Sequence, residues 1–186
     1  MRIIGGKFKG KTIGLPAHYN ARPTTDFAKE GLFNIISNEY EFEGLSVLDL
    51  FGGTGSISFE FASRGAGDIH CIEMSPENAS FIKNEARKLG FGNITVVRHN
   101  VFDFLGICNR KYDIIFADPP YSIEGLDTIP GRAMGLLSDI GTLILEHPGS
   151  YDFSGHPGFI KERKYGNVHF SFFEQAQAGE TDGRNK

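Results

Sequence analysis

Ahead of Leu45 the apolar positions follow a helical rhythm, and beyond it they gather into short runs of strand length. Thr24-Thr25-Asp26 offers N-cap oxygens before Ala28, Leu32, Ile35 and Ile36, a stripe at the spacing of one helix face, which predicts a helix through roughly Asn38. Leu45 to Phe51, Asp68 to Glu73, Ile94 to Arg98, Tyr112 to Ala117 and Thr142 to Glu146 each have strand length and an apolar centre, so five runs predict a buried parallel sheet. Between the second and third runs, Ser75-Pro76 supplies an N-cap and a proline at the first helical position. Ala79, Ile82, Ala86 and Leu89 then make an apolar stripe that Gly90 closes, the pattern of a helix with both ends marked. Ser56 to Phe61 alternates as a strand would, but parallel neighbours need a crossover of a dozen or so residues, usually helical, and the stretch is read as helix.

Alternating strands and helices imply a doubly wound α/β sheet that binds ligands beyond the carboxyl ends of its strands. Gly158 to Lys164 and Val168 to Phe173, joined through Tyr165-Gly166-Asn167, predict a hairpin that adds antiparallel strands at one edge. At the other end of the chain, Arg2 to Ile4 and Lys11 to Leu15 flank Gly5-Gly6-Lys7-Phe8-Lys9-Gly10 and read as two short strands around a flexible turn, with Pro16 to Pro23 as loop. The expected organisation is one domain over residues 1–174, its first 40 residues forming a hairpin and helix extension, followed by an unstructured polar tail over 175–186.

At 186 residues and 40% hydrophobic content the chain can bury about 70% of its unfolded surface in one core. It has no apolar run of about 18 residues to span a bilayer and no apolar stretch after Met1-Arg2-Ile3-Ile4, so the expected location is the cytoplasm and the expected state a monomer. Cys71 and Cys108 are far apart and read as small core residues, and the six histidines show no ligand spacing, so no metal is expected. A net charge of −4 argues against a generic nucleic-acid binder, but its distribution changes the picture. Arg2, Lys7, Lys9, Lys11 and Arg22 all precede the first acidic residue, Asp26, and the rest of the chain carries −9. Such a basic arm fits a phosphate contact and fits equally a solvated edge hairpin whose lysines block pairing with another chain.

Two constellations carry chemistry. In Val47-Leu48-Asp49-Leu50-Phe51-Gly52-Gly53-Thr54-Gly55 an apolar strand runs into a glycine turn where the backbone can approach a ligand closely, and about twenty residues later Glu73 ends the second strand, placed to accept hydrogen bonds from both hydroxyls of a ribose. The ligand should therefore contain a nucleoside. Neither a P-loop nor a full Gly-x-Gly-x-x-Gly is present, which favours S-adenosylmethionine (SAM) over a dinucleotide. The second constellation, Asp118-Pro119-Pro120-Tyr121, follows the fourth strand, which this topology sets beside the first. The lone pair of a nucleobase amine is delocalised into its ring. The Asp118 carboxylate and the Pro119 carbonyl can hold both amine hydrogens and aim the nitrogen at a methyl group, while Tyr121 stacks on a base withdrawn from its neighbours.

These two motifs in this order resemble the class I amino-methyltransferases. Arg2-Ile3-Ile4-Gly5-Gly6-Lys7, Arg22-Pro23-Thr24-Thr25-Asp26, Glu30-Gly31-Leu32-Phe33-Asn34, Ser63-Arg64-Gly65-Ala66, Glu146-His147 and Tyr165-Gly166 narrow the resemblance to the RsmD family, bacterial 16S rRNA guanine-N2 methyltransferases, over nearly the whole chain. The resemblance implies a class I, Rossmann-like, mostly parallel seven-stranded sheet with helices on both faces. It implies SAM as methyl donor, and as partner the 16S rRNA of an assembled or assembling small ribosomal subunit. It assigns the cofactor to Asp49, Phe51, Gly52, Gly53, Gly55, Glu73, Met74, Asn100 and Val101, with Asn100 near the adenine. The target guanine falls to Asp118, Pro119, Pro120 and Tyr121, with Arg22 and Thr24 near the site. Gly52 departs from the alanine usual in the family. Two other readings compete: methylation of adenine N6 in RNA or DNA, which the same tetrapeptide serves, and a non-catalytic SAM-sensing or RNA-binding module.

Overall fold

The structure, a computed structural model, describes residues 1–16 and 25–175. Its strands β1 (Ser46–Leu50), β2 (Asp68–Glu73), β3 (Ile94–Arg98), β4 (Tyr112–Ala117), β5 (Leu137–His147), β6 (Phe159–Tyr165) and β7 (Val168–Glu174) form one seven-stranded sheet in the order β3-β2-β1-β4-β5-β7-β6. The first five run parallel, and β7 and β6 add the antiparallel edge that the last two apolar runs predicted. Helices α1 (Asp26–Glu39), α2 (Ser56–Arg64), α3 (Pro76–Leu89), α4 (Val101–Ile107) and α5 (Ile129–Ala133) cover both faces.

Alternate residues of one strand feed opposite faces, and the core divides accordingly. Val47, Ile114 and Phe116 pack with Leu32, Phe33, Phe59 and Ile82 from α1, α2 and α3. Leu48, Leu50, Ile115 and Ala117 pack with Val101 and Leu105 of α4 and Ile129 and Ala133 of α5. Helix capping follows the sequence: the Thr25 hydroxyl accepts from the Ala28 amide at 3.2 Å, the Ser75 hydroxyl from the Asn78 amide at 3.2 Å, and Gly90 ends α3 in the left-handed conformation. Ser56 to Phe61 is helical, as the crossover argument required.

The two sides of the amino-terminal hairpin pair around the isolated Arg2–Thr12 bridge, the Ile3 amide donating to the Lys11 carbonyl and the Ile13 amide to the Met1 carbonyl, each at 2.9 Å, and Gly6–Phe8 between them is a 3-10 turn where a flexible turn was expected. Further groups of the arm go to α2. The Ile4 amide donates to Glu60 Oε2 at 3.0 Å, the Phe8 amide donates to Ser63 Oγ at 2.9 Å, and Ser63 Oγ donates to the Gly5 carbonyl at 2.7 Å. The glycines make a close approach and not a flexible turn: a Cβ on Gly6, whose φ is +70°, would lie 2.0 Å from the Ser63 carbonyl oxygen. Other differences are smaller. β1 stops at Leu50, β5 begins five residues earlier than expected, α4 and α5 had no counterpart in the predicted elements, and Cys108 is half-buried where Cys71 is fully buried. Residues 176–186, most of the expected tail, lie outside the described residues, as do Arg22 and Thr24.

Buried charges fasten the arm. Lys29 on α1 is buried with Glu60 on α2, Nζ to Oε2 being 3.8 Å, and its ammonium donates to the Arg2 carbonyl at 2.5 Å and to Ser56 Oγ at 3.2 Å. Arg64 closes the cluster on Glu60 Oε1 at 3.1 Å and lies over the Phe33 ring. Burial pushes the Lys29 ammonium down in pKa, with Glu60 opposing. Removing one member of a buried pair leaves the other charge uncompensated, so Glu60→Ala is expected to cost about 3–5 kcal/mol in urea unfolding. A loss below about 1 kcal/mol would show that the cluster is not what holds the arm.

Candidate active site

The chain turns sharply as it leaves β1. Phe51 takes a φ of +67°, rare for a residue with a side chain, and Gly53 and Gly55 follow at +56° and +75°. Gly52 is not left-handed; it is small for another reason. Its amide donates to the Ile72 carbonyl at 2.8 Å, and a Cβ there would stand 2.4 Å from Cys71 Sγ. The departure from alanine is thus matched to the cysteine packed beneath the loop. Glu73, 8% exposed at the end of β2, clamps the turn: Oε2 accepts from the Gly53 amide and Oε1 from the Ser75 amide, each at 2.7 Å. Its two oxygens are thereby fixed in orientation at the mouth of the loop.

On the same side Asn100 caps α4, its Oδ1 accepting from the Phe102 amide at 2.9 Å and the Asp103 amide at 3.3 Å, while Nδ2 lies 3.9 Å from Met74 Sδ. Because α4 had no counterpart among the predicted elements, the capping duty of Asn100 went unseen. Beyond β4, Pro120 is a turn former whose carbonyl accepts from the Ile123 amide at 2.9 Å. The Tyr121 ring is 45% exposed, and its hydroxyl donates to Glu146 Oε1 at 3.3 Å. Burial first, then the Glu146 and Asp118 charges, push the Tyr121 phenol well up, so it stays a neutral donor.

These groups surround one cavity of about 1080 Å³ beyond the carboxyl ends of β1, β2, β4 and β5. It gathers Asp49, Phe51, Gly52, Gly53, Glu73, Met74, Asn100 and Val101 on one side and Asp118, Pro119, Pro120 and Tyr121 on the other. Gly55 is not in the wall; it starts α2 beneath it. Arg2, Lys7, Lys9 and Lys11 are not in it either: Arg2 pairs with Asp26 at 2.8 Å and Lys7 lies over the Phe8 ring. Among the wall residues that sequence reasoning did not assign to the site are Glu146, Phe27 and Tyr165. Glu146 ends the predicted run Thr142 to Glu146 as Glu73 ends Asp68 to Glu73, which was a legible signal; the meeting of Phe27 on α1 with Tyr165 at the hairpin, ring centroids 5.7 Å apart, was not.

The family model described as "Conserved hypothetical protein 95" matches residues 1–174. Ribosomal RNA small subunit methyltransferase D of Escherichia coli K12 is 32% identical over 192 residues, covering 98% of this chain and 93% of that protein. The chain belongs to the RsmD family of methyltransferases. A Buchnera aphidicola member of the same name is 40% identical over 121 residues, 65% of this chain and 61% of that protein. The solved structure of Escherichia coli yhhF superposes with a TM-score of 0.83 at 28% identity, over 95% of this chain and 99% of that one. The class I fold expected from the resemblance is borne out.

Within this RsmD-family cavity Asp49 is fully enclosed, and Oδ2 accepts from Ser58 Oγ at 2.5 Å and from the Ser58 amide at 3.1 Å. Burial outweighs these hydrogen bonds and, with the nearby Asp118 and Glu73 charges, raises its carboxyl from 3.8 to about 7. The folded chain therefore holds this proton more tightly than the unfolded chain. The protonated carboxyl stabilises the fold fully below about pH 3.8, and that contribution is lost as pH rises through about 7. Thermal unfolding one unit either side of the upper value should show Asp49→Asn losing less stability across the interval than the parent. Identical pH slopes would mean that Asp49 is already ionised in the fold.

Proposed function

We propose that the protein transfers a methyl group from SAM to the exocyclic N2 amine of a guanine in small-subunit ribosomal RNA. The observation that carries this reading is the meeting, in one cavity, of a nucleoside-sized half closed by Glu73 and the glycine loop with an acceptor-rich half made by Asp118, Pro119, Tyr121 and Glu146. The substrate class follows the names of the relatives, and the basic arm offers Arg2, Lys7, Lys9 and Lys11 as phosphate contacts outside the cavity. Action on an assembled or assembling subunit, in the cytoplasm, fits that substrate; among the described residues no helix is long and apolar enough to cross a membrane.

The donor set fits SAM. Glu73 has lone pairs beyond those the Gly53 and Ser75 amides use and faces the cavity to accept ribose hydroxyls. Asn100 and Met74 flank the place for the adenine, and a cationic group bound beside Asp49 would favour the ionised form of its carboxyl. SAM, when bound, supplies a methyl group already activated on a sulfonium. The residues of the chain do the rest. Asp118 and the Pro119 carbonyl accept the two amine hydrogens and turn the nitrogen lone pair out of conjugation and toward the donor. As positive charge develops on that nitrogen, the Asp118 carboxylate stabilises it more than it stabilised the neutral amine, which lowers the barrier, and it accepts the proton that the methylated nitrogen sheds. Tyr121 supplies the stacking surface that keeps the base in place.

The test uses labelled SAM with small subunits, or 16S rRNA, lacking the modification, followed by nucleoside identification. The expected product is N2-methylguanosine at a single site. Asp118→Ala should bind SAM nearly as the parent does and turn over at least about a hundredfold more slowly. A methylated adenine would overturn the base assignment, and undiminished turnover in the variant would overturn the mechanism.

A further inference from the structure

We propose that Glu146 selects guanine over adenine by accepting the ring N1–H of the target base while Asp118 and Pro119 take the hydrogens of its amine. This rests on the assignment of the cavity to a guanine N2 amine and adds to it a source of base selection. The starting observation is register. Ala117, the last residue of β4, lies opposite Leu145 on β5, and the strands are parallel, so Asp118, just past β4, and Glu146, next to last in β5, come side by side at about the 4.8 Å spacing of neighbouring strands. Both reach the same cavity, and Glu146 is only 5% exposed. The Tyr121 hydroxyl, donating to Glu146 Oε1, sets that carboxylate at the far edge of the ring on which the base stacks.

An ionised carboxylate can only accept hydrogen bonds, and its two oxygens offer about four sites for them. The base edges differ in what they give it. Guanine presents three N–H bonds in sequence, two on N2 and one on N1. Adenine and cytosine present two on their amine and then a ring nitrogen lone pair. Three acceptors in a row, the Pro119 carbonyl, Asp118 and Glu146, match the first pattern and set a carboxylate against a lone pair in the second. A site built to pair with a particular N–H rejects an analogue lacking it far more strongly than a site that discriminates by size. The Asp-Pro-Pro-Tyr constellation handles any exocyclic amine, and Glu146 is the group beside it that distinguishes one amine-bearing base from another.

The competing account is that Glu146 acts only as a tether for Tyr121, and base analogues separate the two. 2-Aminopurine keeps the amine of guanine but has a lone pair at N1. With target RNA carrying either base at the methylated position, the parent enzyme should prefer guanine by at least about a hundredfold in kcat/KM. Glu146→Gln, whose amide can donate to a lone pair, should narrow that ratio at least about tenfold. Glu146→Asp, which keeps a carboxylate, should retain the preference at a lower rate, and SAM binding by both variants reports that they fold. Tyr121→Phe, which loses the tether and keeps the ring, should slow both substrates alike. Equal rates of the parent on the two bases, an unchanged ratio in Glu146→Gln, or a ratio that collapses in Tyr121→Phe as it does in Glu146→Gln, overturns the proposal while N2 methylation stands. Failure of the parent to label guanine N2 at all overturns the proposal together with the reading beneath it.

Discussion

Because β1 pairs with β2 on one side and β4 on the other, the helices that follow β1 and β4 leave toward opposite faces of the sheet. α2 joins the apolar cluster on one face and α5 the cluster on the other, so the loops leaving β1 and β4 diverge and open a crevice between them. The rest of the site depends on that divergence. The glycine turn lies on one side of the crevice, the Asp-Pro-Pro-Tyr turn on the other, and the flanking strands β2 and β5 each contribute a carboxylate at the corresponding height. In the proposed reading the donor's nucleoside and the target base take separate halves of one cavity, meeting where β1 and β4 part.

The crevice is rich in buried acceptors. Asp49, Glu73, Asp118 and Glu146 all line it, and burying carboxylates is costly unless hydrogen bonds or cations compensate. The protein compensates unevenly. Glu73 is fixed by two backbone amides, Glu146 takes the Tyr121 hydroxyl, and Asp49, enclosed beside Ser58, keeps its proton up to about pH 7. A cationic cofactor and a base edge that presents N–H groups would complement this arrangement, and the acidic interior is compatible with a nucleic-acid substrate because Arg2, Lys7, Lys9 and Lys11 lie outside the cavity.

How much of this was legible in the sequence depended on whether a signal was local. Strand runs, the capping of α1 and α3, and the two motifs are local, and the sheet and most of the cavity wall followed from them. α2 was recoverable although its pattern alternates, because parallel strands cannot be joined without a crossover. The pairing of the arm was legible and its docking was not, because the partners are distant: the acceptors for Ile4 and Phe8 are Glu60 and Ser63, and nothing near Gly5-Gly6 marks those glycines as a contact surface. Lys29 and Glu60 lie on different helices and are buried together, which no local pattern marks. Glu146 required the register between β4 and β5, and Gly52 required the packing of Cys71 against it, both of which are properties of the folded sheet.

The central claim is that the donor lies across the strand ends with its nucleoside toward β2 and its reacting end toward β4. A crystal structure of the full chain with S-adenosylhomocysteine tests it most directly. The account predicts the ribose hydroxyls within hydrogen-bonding distance of Glu73, the adenine beside Asn100 and Met74, and the sulfur facing Asp118. A nucleoside bound in the Asp118 and Glu146 half, or a ribose that makes no contact with Glu73, would contradict it.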